Sequence, residues 1–410
     1  MKIIAYLPFL VIFILSFNIN CGCTVDPPVD PGDTTKTDSL PYDIIWQTPQ
    51  NITDSSGSYS PHFTPAIIGD LVFSANNVYA DFLNDKDIDT ITAYNIHTGE
   101  IIWKWSDFQS SQKYVSQNVI GDNIVFVTTG KEVVGIDALT GETLIRRISN
   151  KGEKRISVSQ DILFHCDLDF DEKGTDIFYF DKVNSQWKKA IRIVETGNLR
   201  IQAYPPSAEI KSDGDTLLYF QKRFYRSEPF LAGSELYCYN LSKKQIVWNA
   251  IVDSLDSNIN NTPYVAEGRI FFCSSKTVHC FDKSTGARIW RTHFPKTNFL
   301  ATNYLMTEDK IVIGSDNGER IGVRKNDGKV VYNINSYASS FWRLNRYKNW
   351  LLNVHKQLEI YDINTGEQKF FLNTTHKKGN FNTGVAVDES TGLFYLPDGY
   401  NMMCIKVKGL

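Results

Sequence analysis

One acidic stretch has the residue types and the spacing of a cation site. In DLDFDEKG, Asp167, Asp169 and Asp171 stand on alternate residues. Carboxylates spaced in this way in a loop can converge on Ca²⁺, which takes oxygen ligands. The stretch departs from the EF-hand loop, because Glu172 stands where that loop needs glycine and Phe178 where it needs glutamate. The sequence predicts a structural calcium site here, and the alternative is a solvated acidic tip between two strands.

A second stretch, QKRFYRSEPFLAGS, carries the side chains of a recognition surface in what the sequence predicts to be a long loop. A link further on, YASSFWRLNRY, adds two more on the same predicted face. The six candidates for partner binding combine aromatic and guanidinium groups: Arg223, Phe224, Tyr225, Arg226, Trp342 and Arg343. Such groups are enriched at protein interfaces, and long loops in a repeat array usually decorate its binding face. The alternative is that Phe224 and Trp342 pack between repeats or plug a central funnel.

Residues for nucleophilic or acid–base catalysis form no motif in this chain. The seven histidines fall at unrelated positions, and neither a nucleophile elbow nor an HExxH motif accompanies them. The five cysteines beyond Cys23 show no CxxC or Cys/His metal spacing, so we expect buried thiols. The net charge is −3 and no basic stripe is present, which argues against nucleic acid as a partner. We therefore expect no enzymatic activity.

A repeat supplies the elements that must position these residues. The segments AYNIHTGEIIWKW, GIDALTGETLIRR, CFDKSTGARIWRT and IYDINTGEQKFFL share an Asp or Asn, a Thr-Gly turn and a following strand. The position before the turn recurs at Asn95, Asp137, Asp181, Asn240, Asp282, Arg324 and Asp362. Most gaps lie near 42 residues. A period of this length with short strands indicates a β-propeller with four strands in each blade.

The turn motif has a structural explanation. Asp or Asn accepts hydrogen bonds from backbone N–H groups a few residues on, and glycine takes a positive φ at low cost. The aromatic residue eight positions after the Asp or Asn is expected to cover the seam with the neighbouring blade. The third copy, FDKVNSQWKKA, lacks Thr-Gly and places Trp187 two residues early, so it is the weakest repeat.

The two ends of the repeat region complete each other. After the seventh copy, TGVAVDESTGLFYLPDGYNMMCIKVKGL supplies three strands and no outer strand. Near the start, YDIIWQTP reads as an outer strand with Trp46 and has no inner partners of its own. We predict an all-β, eight-bladed propeller of four-stranded antiparallel blades over residues 42–410. Its N-terminal strand joins the C-terminal blade, and this closure removes the open edges.

The first residues have the composition of an export signal. Lys2 precedes a run of 15 apolar residues, Ile3 to Phe17, which is short for a membrane-spanning helix. It ends at NINCGC, which resembles the lipobox of bacterial lipoproteins, with Cys23 as the predicted lipidated residue and Cys21 as the alternative. A plain signal peptide with incidental cysteines is the other interpretation. Residues 24–41, rich in Pro, Asp and Thr, are predicted to be a flexible tether.

The repeats resemble those of the quinoprotein-like (PQQ-like) propeller family. The pattern A-x-[DN]-x-x-T-G-[EK]-x-x-W is matched, with variations, at Ala93–Trp103, Ile136–Ile145, Cys280–Trp290 and Tyr361–Phe370. The resemblance implies two branches. The dehydrogenases of that family are much longer chains, with an adjacent Cys-Cys pair, a Ca²⁺ site and a Trp beneath the quinone. This chain has no adjacent cysteine pair. It therefore resembles the cofactor-free envelope branch, which includes the lipoprotein scaffold of outer-membrane β-barrel assembly.

The resemblance and the signal together imply a function, although a propeller fold alone implies little. We expect a non-catalytic, lipid-anchored scaffold or recognition module that binds a protein in the bacterial cell envelope, at the outer membrane. It would carry no cofactor and would touch the membrane only through its lipid. The alternatives are a glycan-binding accessory lipoprotein and, third, a degenerate quinoprotein dehydrogenase.

Overall fold

The computed structural model describes residues 41–50, 63–76, 90–109, 117–129, 131–148, 154–167, 174–194, 199–226, 231–253, 262–274, 276–297, 299–315, 318–336, 344–355, 357–373, 381, 384–398 and 400–410. The predicted signal segment with Cys23, and the tether up to residue 40, lie outside these ranges. Lipidation of Cys23 and the domain boundaries proposed above therefore stay predictions.

The described residues form β-strands grouped into eight antiparallel sheets, one per blade. The first strand of the chain is β1 (Tyr42–Pro49). Blades 1 and 2 consist of β2 (Ala66–Ile68), β3 (Leu71–Asn76), β4 (Thr90–Asn95), β5 (Ile101–Trp105), and β6 (Gln117–Gly121), β7 (Ile124–Thr128), β8 (Glu132–Asp137), β9 (Thr143–Ile148). Blades 3 and 4 consist of β10 (Lys154–Ser159), β11 (Ile162–Asp167), β12 (Gly174–Asp181), β13 (Gln186–Val194), and β14 (Arg200–Ala203), β15 (Ser207–Ile210), β16 (Thr216–Arg226), β17 (Leu231–Asn240), β18 (Gln245–Asp253). Blades 5 and 6 consist of β19 (Tyr264–Ala266), β20 (Arg269–Cys273), β21 (Thr277–Asp282), β22 (Arg288–His293), and β23 (Phe299–Met306), β24 (Lys310–Ser315), β25 (Glu319–Arg324), β26 (Val330–Asn335). Blade 7 consists of β27 (Asn345–Tyr347), β28 (Trp350–His355), β29 (Gln357–Asp362) and β30 (Gln368–Leu372), and blade 8 of β31 (Ala386–Asp388), β32 (Leu393–Pro397), β33 (Asn401–Val407) and β1.

The predicted eight-bladed propeller is confirmed, and so is its closure. In blade 8 the strand order is β1-β33-β32-β31, so the N-terminal strand is the outer strand of the last blade. β1 pairs antiparallel with β33 from Tyr42 opposite Val407 to Pro49 opposite Asn401. The first strands contact one another between several neighbouring blades, and at the closure β2 of blade 1 contacts β31 of blade 8. The ring is therefore closed by the hydrogen bonds between β1 and β33 in blade 8, whereas the other blades follow one another along the covalent chain.

Two blades differ from the simple repeat. Blade 3, the weakest copy in sequence, is a complete four-stranded sheet. Blade 4 has a fifth strand, because its inner edge is split into β14 and β15, which pair with successive parts of the 11-residue β16.

The hydrophobic core lies in the seams between blades. The second and third strands of most blades are buried on both faces, so they read as apolar runs rather than as a strict alternation. The seam between blades 5 and 6 shows the principle: Phe271 and Cys273 pack with Ile311 and Ile313 from the next blade. The five described cysteines are all buried and none forms a disulfide, as the sequence predicted.

The Asp-Thr-Gly turns form as predicted. In blade 5, Asp282 Oδ1 accepts hydrogen bonds from the backbone N–H groups of Ser284, at 3.0 Å, and Thr285, at 2.8 Å, and from the Thr285 hydroxyl at 2.8 Å. Gly286 follows with φ 71°, in the left-handed region. In blade 1, Asn95 makes the equivalent turn without a charge. The motif therefore folds locally, whichever of the two side chains is present.

The outer-strand aromatics cover the seams. Five of them pack on the turn glycine of the next blade, in the pairs Trp46–Gly99, Trp103–Gly141, Trp248–Gly286, Trp290–Gly328 and Tyr332–Gly366. The indole N–H also donates to a turn carbonyl, at 2.9 Å from Trp46 Nε1 to Ile96 O and 3.2 Å from Trp248 Nε1 to Lys283 O. The motif thus joins blade to blade, which explains why the turn and the aromatic recur together.

Candidate partner-binding face

The strand order divides the loops of the propeller between two faces. Because strands within a blade are antiparallel, the Thr-Gly turns and the turns after each first strand lie on one face, here called the turn face. The connections between second and third strands and the links between blades lie on the opposite face, here called the link face. Four of the six residues predicted to bind a partner, Arg223 to Arg226, lie at the link-face end of β16 (Thr216–Arg226).

The long loop predicted in blade 4 is instead largely an extended hairpin, and this corrects the sequence analysis. β16 runs through Arg226, and β17 starts at Leu231, so both strands reach well beyond the five or six residues usual in the other blades. Pairing continues to Arg226 opposite Leu231. The added strand β14 accompanies this upper part, with Arg200 opposite Tyr225. Aromatic residues in the stretch favour strand over loop, and a third strand to pair with stabilises the extension.

One side of the hairpin is part of the core between blades 3 and 4. Leu218 and Phe220 pack there with blade 3, and successive alternate residues continue on the same side. Phe224 packs against this cluster. Lys222 is buried beside it and forms an ion pair with Glu235, at 2.7 Å between Nζ and Oε2.

The Glu235 carboxylate also receives a hydrogen bond from Tyr237 Oη at 2.6 Å. Burial, reinforced by this bond, raises the pKa of Tyr237 to about 12, so the phenol stays a donor. On this side of the hairpin the charges of Lys222 and Glu235 are therefore paired with each other. Only the partly buried ring of Phe224 remains for a partner to contact.

The other side presents a cationic and aromatic stack. Arg223 and Tyr225 alternate with the core residues and are partly exposed. The guanidinium carbon of Arg223 lies 5.3 Å from the Tyr225 ring centre, and that of Arg200 lies 5.9 Å from it. Two guanidinium groups on one phenol ring give a surface that can accept carboxylates by bidentate hydrogen bonds and apolar groups by ring contact.

The remaining predicted partner-binding residues are only partly placed. Arg226 ends β16, while Trp342 and Arg343 lie outside the described residues. The structure thus brings Arg223 and Tyr225 together with Arg200, a residue that the sequence analysis missed. The signal for Arg200 is tertiary, since it comes from the pairing of β14 with β16 and not from any spacing in the sequence.

The acidic stretch is described only at its start. Asp167 ends β11 and is buried, with Oδ1 at 2.9 Å from His165 Nε2. Asp169 and Asp171 lie outside the described residues, so the calcium site stays a prediction. Within the described ranges, no three His, Cys, Asp or Glu side chains are grouped as metal ligands would be.

A buried polar network lies between blades 6 and 7 near the link face. Arg320 donates to Asn353 Oδ1, at 3.1 Å from Nε and 2.8 Å from Nη2. Asn353 in turn donates to Glu359 Oε2 at 2.6 Å, and Tyr361 Oη donates to the same oxygen at 2.9 Å. Burial lowers the pKa of Arg320 to about 10, against the opposing effect of Glu359. The guanidinium stays charged at neutral pH, and the network orders this seam beneath the face.

A cavity of about 420 Å³ opens on the axis between the first strands of blades 7, 8, 1 and 2. Its lining comes from four segments of those strands and the residues just before them: 64–67, 118–120, 345–346 and 385–387. Two asparagines at its rim tie neighbouring blades, since Asn118 Nδ2 donates to Thr64 O at 2.9 Å and Asn345 Nδ2 donates to Val385 O.

Comparison with known protein families agrees with the propeller fold described above. The model of the family described as outer membrane protein assembly factor BamB matches residues 45–162 and 186–349, more than half of the chain. The chain belongs to this family. Both matched ranges lie inside the propeller, and the gap between them falls in blade 3, where the turn and the aromatic depart from the repeat. No curated protein matches this chain in sequence.

Solved structures share the fold at low sequence identity. BamB from Moraxella catarrhalis is similar with a TM-score of 0.56 and 12% identity, over 90% of this chain and 98% of that one. The computationally designed Ika8 protein reaches a TM-score of 0.60 at 15% identity, over 85% and 96% of the two chains. Sqt1 from Saccharomyces cerevisiae reaches 0.59 at 9%, over 83% and 93%. At such identities the likeness concerns the fold alone. Among the described residues, no helix has the length and hydropathy needed to cross a membrane.

Proposed function

We propose that this protein is a non-catalytic, cofactor-free scaffold of the bacterial cell envelope that binds a protein partner through its link face. The observation that carries the proposal is the extended hairpin of blade 4, with Tyr225 between Arg223 and Arg200. In a regular array, one blade that departs from the repeat on one face, with partly exposed aromatic and guanidinium groups, has the composition of a binding surface.

Family membership supports the cellular setting of the proposal. A family described by an outer membrane assembly factor fits the export signal and the lipobox-like Cys23, and we propose attachment to the outer membrane through that lipid. The partner would present carboxylates and apolar groups to the hairpin, because these are the groups that two guanidiniums and a phenol recognise.

The test is site-specific photo-crosslinking in cells, followed by capture from detergent-solubilised membranes. A photo-reactive phenylalanine analogue at Tyr225 should crosslink to one dominant envelope protein. The matched control is the same analogue at Leu139, which is 68% exposed on the turn face. Arg223→Ala together with Arg200→Ala should abolish the crosslink, while the unfolding midpoint of the protein stays close to that of the wild type.

Equal crosslinking from Tyr225 and Leu139, or none from Tyr225 in a folded protein, would contradict the protein-scaffold proposal. Glycan arrays probed with the same full-length protein then test the alternative of a glycan-binding lipoprotein. Binding of a glycan that is lost when Tyr225 is replaced would support the glycan-binding function instead.

A further inference from the structure

A group of polar side chains lies below Tyr225, on the same side of the blade 4 hairpin. Gln202 on β14 stands opposite Arg223 on β16, and Arg223 stands opposite Ser234 on β17. Gln221 precedes Arg223 by two residues, so it lies on the same side, one row closer to the turn face. Side chains opposite one another on antiparallel strands have Cβ atoms about 5 Å apart. These four residues, here called the amide cluster, are therefore neighbours.

The amide cluster faces the seam between blades 4 and 5. Tyr219 and Leu236, which continue the same side of the hairpin towards the turn face, pack with Phe272 of blade 5. His279 stands opposite Phe272, and its Nε2 lies 3.2 Å from the Ser274 hydroxyl. The seam therefore changes from apolar to polar as it approaches the link face.

The polar atoms of the amide cluster have no hydrogen-bond partner among the described residues. Gln202 is 1% exposed, and Gln221 and Ser234 are 0% exposed. The unpaired buried atoms are the nitrogen and the oxygen of both side-chain amides, the Ser234 hydroxyl oxygen and Arg223 Nε. In folded proteins the large majority of buried side-chain polar atoms are hydrogen-bonded. So many unpaired atoms in one place indicate a hydrogen-bonding group from outside the chain.

The types of these atoms define that group. The two glutamine carbonyl oxygens need donors, whereas the amide N–H groups, Arg223 Nε–H and the Ser234 hydroxyl can donate. A primary carboxamide brings two N–H donors and a carbonyl oxygen, so a single group can serve both carbonyls and two of the donors. A carboxylate brings no donor, a hydroxyl brings one, and an ammonium brings no acceptor. The cluster therefore matches a carboxamide better than any of these.

Arg223 is the entrance to the cluster, because it is the partly exposed member. Within the described part of the chain its guanidinium has neither a hydrogen bond nor an ion pair, and its carbon lies 5.3 Å from the Tyr225 ring centre. A ring contact at a partly exposed site is weak, so the side chain can move aside at low cost.

We propose that the amide cluster binds a primary carboxamide that enters past Arg223, and that the protein partner supplies it as an Asn or Gln side chain. The carboxamide site stands on the cluster alone, whereas its assignment to the partner rests on the proposed function. Gln202, Gln221 and Ser234 then select the partner by hydrogen bonding, below the surface on which it docks.

The first experiment is NMR of the full-length protein in detergent, with ¹⁵N placed only in glutamine side chains. The probes are propionamide, propionate and 1-propanol, which are similar in size and differ in the terminal group. Gln202→Met and Gln221→Met keep the side-chain length and remove the amide. Each variant assigns one signal, and binding is then followed at the other glutamine. The matched control is Gln245→Met, on the exposed outer strand of the same blade.

We expect propionamide to shift the signals of Gln202 and Gln221 with a millimolar Kd, equally in the wild type and in Gln245→Met. Propionate and 1-propanol should bind about tenfold more weakly, and Gln202→Met or Gln221→Met should weaken propionamide binding by about the same factor. The denaturation midpoints of these two variants should not fall, because an apolar group replaces a buried polar group that has no protein partner.

Three results overturn the carboxamide site. Equal affinity for the three probes would show that the cluster does not select the group. No shift of either signal at about 100 mM propionamide would show that the cluster takes ordered water alone. A marked fall in the midpoint of Gln202→Met or Gln221→Met would show that the amides stabilise the seam.

The second experiment tests the partner as the source, with the photo-reactive analogue at Tyr225. Gln202→Met combined with Gln221→Met should reduce the crosslink about tenfold, and Gln245→Met should leave it unchanged. An unchanged crosslink in the double variant overturns the partner as the source, although the proposed function stands. Propionamide binding without any wild-type crosslink has the opposite meaning, since it supports the carboxamide site and contradicts the proposed function.

Discussion

At the scale of single residues, the residue in the turn of each blade correlates with the outer-strand residue that the preceding blade places against it. Glycine stands in the turn wherever the outer strand of the preceding blade packs Trp or Tyr against that turn. Trp187 also lies on an outer strand, in blade 3, but two residues earlier in the repeat, and the next turn has no glycine. Where the preceding blade supplies Ile145 or Lys189, the turn position holds Ser185 or Lys244, with φ 49° and 55°. The aromatic ring leaves no room for a Cβ, and without the ring the same backbone conformation tolerates a larger residue at some cost in strain. The glycine is therefore needed for the neighbouring ring at least as much as for the turn.

This argument predicts a large effect for Gly286→Ala. A Cβ at Gly286 would lie 2.5 Å from Trp248 Cε3, and φ is 71°. Left-handed strain costs about 1–2 kcal/mol and overpacking another 1–3 kcal/mol, so the free energy of unfolding should fall by about 2–5 kcal/mol. The control is Gly268→Ala in the same blade, with φ 72° and no atom within 4 Å of its Cβ. For Gly268→Ala the free energy of unfolding should fall by only the left-handed strain, about 1–2 kcal/mol. Equal losses in chemical denaturation would show that the ring contact is unimportant.

The turn carboxylates predict a pH dependence. The pKa of Asp282 is lowered, first by its bond from the Thr285 hydroxyl and then by the backbone N–H of Thr285. A lowered folded-state pKa means that the unfolded chain binds more protons, so this stabilisation is present above the unfolded pKa of about 3.9 and is lost as pH falls through the folded value.

Asp282→Asn should keep the turn, since Asn95 makes it in blade 1. The variant should match the wild type at pH 7 and lose less stability than the wild type between pH 5 and pH 2. The measurement is the denaturation midpoint over that pH range. An identical pH profile for both proteins would mean that Asp282 is not among the groups that drive acid unfolding.

At the scale of elements, β1 is the closing strand of the ring. It pairs with β33, and Trp46 reaches the Gly99 turn of blade 1, where Thr48 Oγ1 also donates to Gly99 O at 2.6 Å. The strand therefore holds blade 8 together and joins blade 8 to blade 1.

Trp46→Ala should lower the free energy of unfolding by about 3–5 kcal/mol, the range for removing a buried Trp. The neighbouring Ile45, which is 48% exposed, provides the control, and Ile45→Ala should change stability by less than about 0.5 kcal/mol. Both are measured by denaturant titration. A small loss for Trp46→Ala would indicate that the other contacts of β1 and β33 are enough to close the ring.

The blade 4 hairpin contains a largely buried ion pair between Lys222 and Glu235. Lys222→Met should cost about 3 kcal/mol, because it leaves the Glu235 carboxylate without its cation in a largely buried place. Adding Glu235→Gln should restore more than half of that loss, because the uncompensated charge disappears. If the double variant is as unstable as the single one, packing of the Lys222 stem and not its charge is what stabilises the hairpin.

At the scale of the whole molecule, the ring has a non-covalent joint between β1 and β33. The Lys408 backbone N–H donates to Pro41 O at 3.0 Å, so the two ends of the propeller lie side by side. Neighbouring chain ends favour circular permutation.

A permutant that joins Leu410 to Pro41 through a short Gly-Ser linker and opens between Lys243 and Lys244, in an exposed turn of blade 4, should fold. We expect a wild-type far-UV spectrum and one cooperative unfolding transition. A permutant that opens instead within β25 at Gly322, where blade 6 is buried, serves as the control and should fail to fold. Failure of both would show that closure by a free N-terminal strand is required during folding.

The sequence by itself determined the architecture, because the information for it is local and repeated. The Asp or Asn, the glycine and the aromatic act within one turn and one neighbouring blade, so a period near 42 residues was enough to predict seven of the blades. The incomplete strands at the two ends, three at one and YDIIWQTP at the other, predicted the eighth blade and the closure.

Only the tertiary structure decided what the surface offers. The stretch around Tyr225 became a paired hairpin because β14 lies beside it, and Arg200 joined the site through that pairing. The cavity of about 420 Å³ exists because segments near residues 64–67 and 385–387, at opposite ends of the sequence, come together where the ring closes. A repeat pattern describes what each blade shares with the others. A binding site depends on where blades differ and on which side chains the ring brings together, and that proximity has no signal in residue spacing.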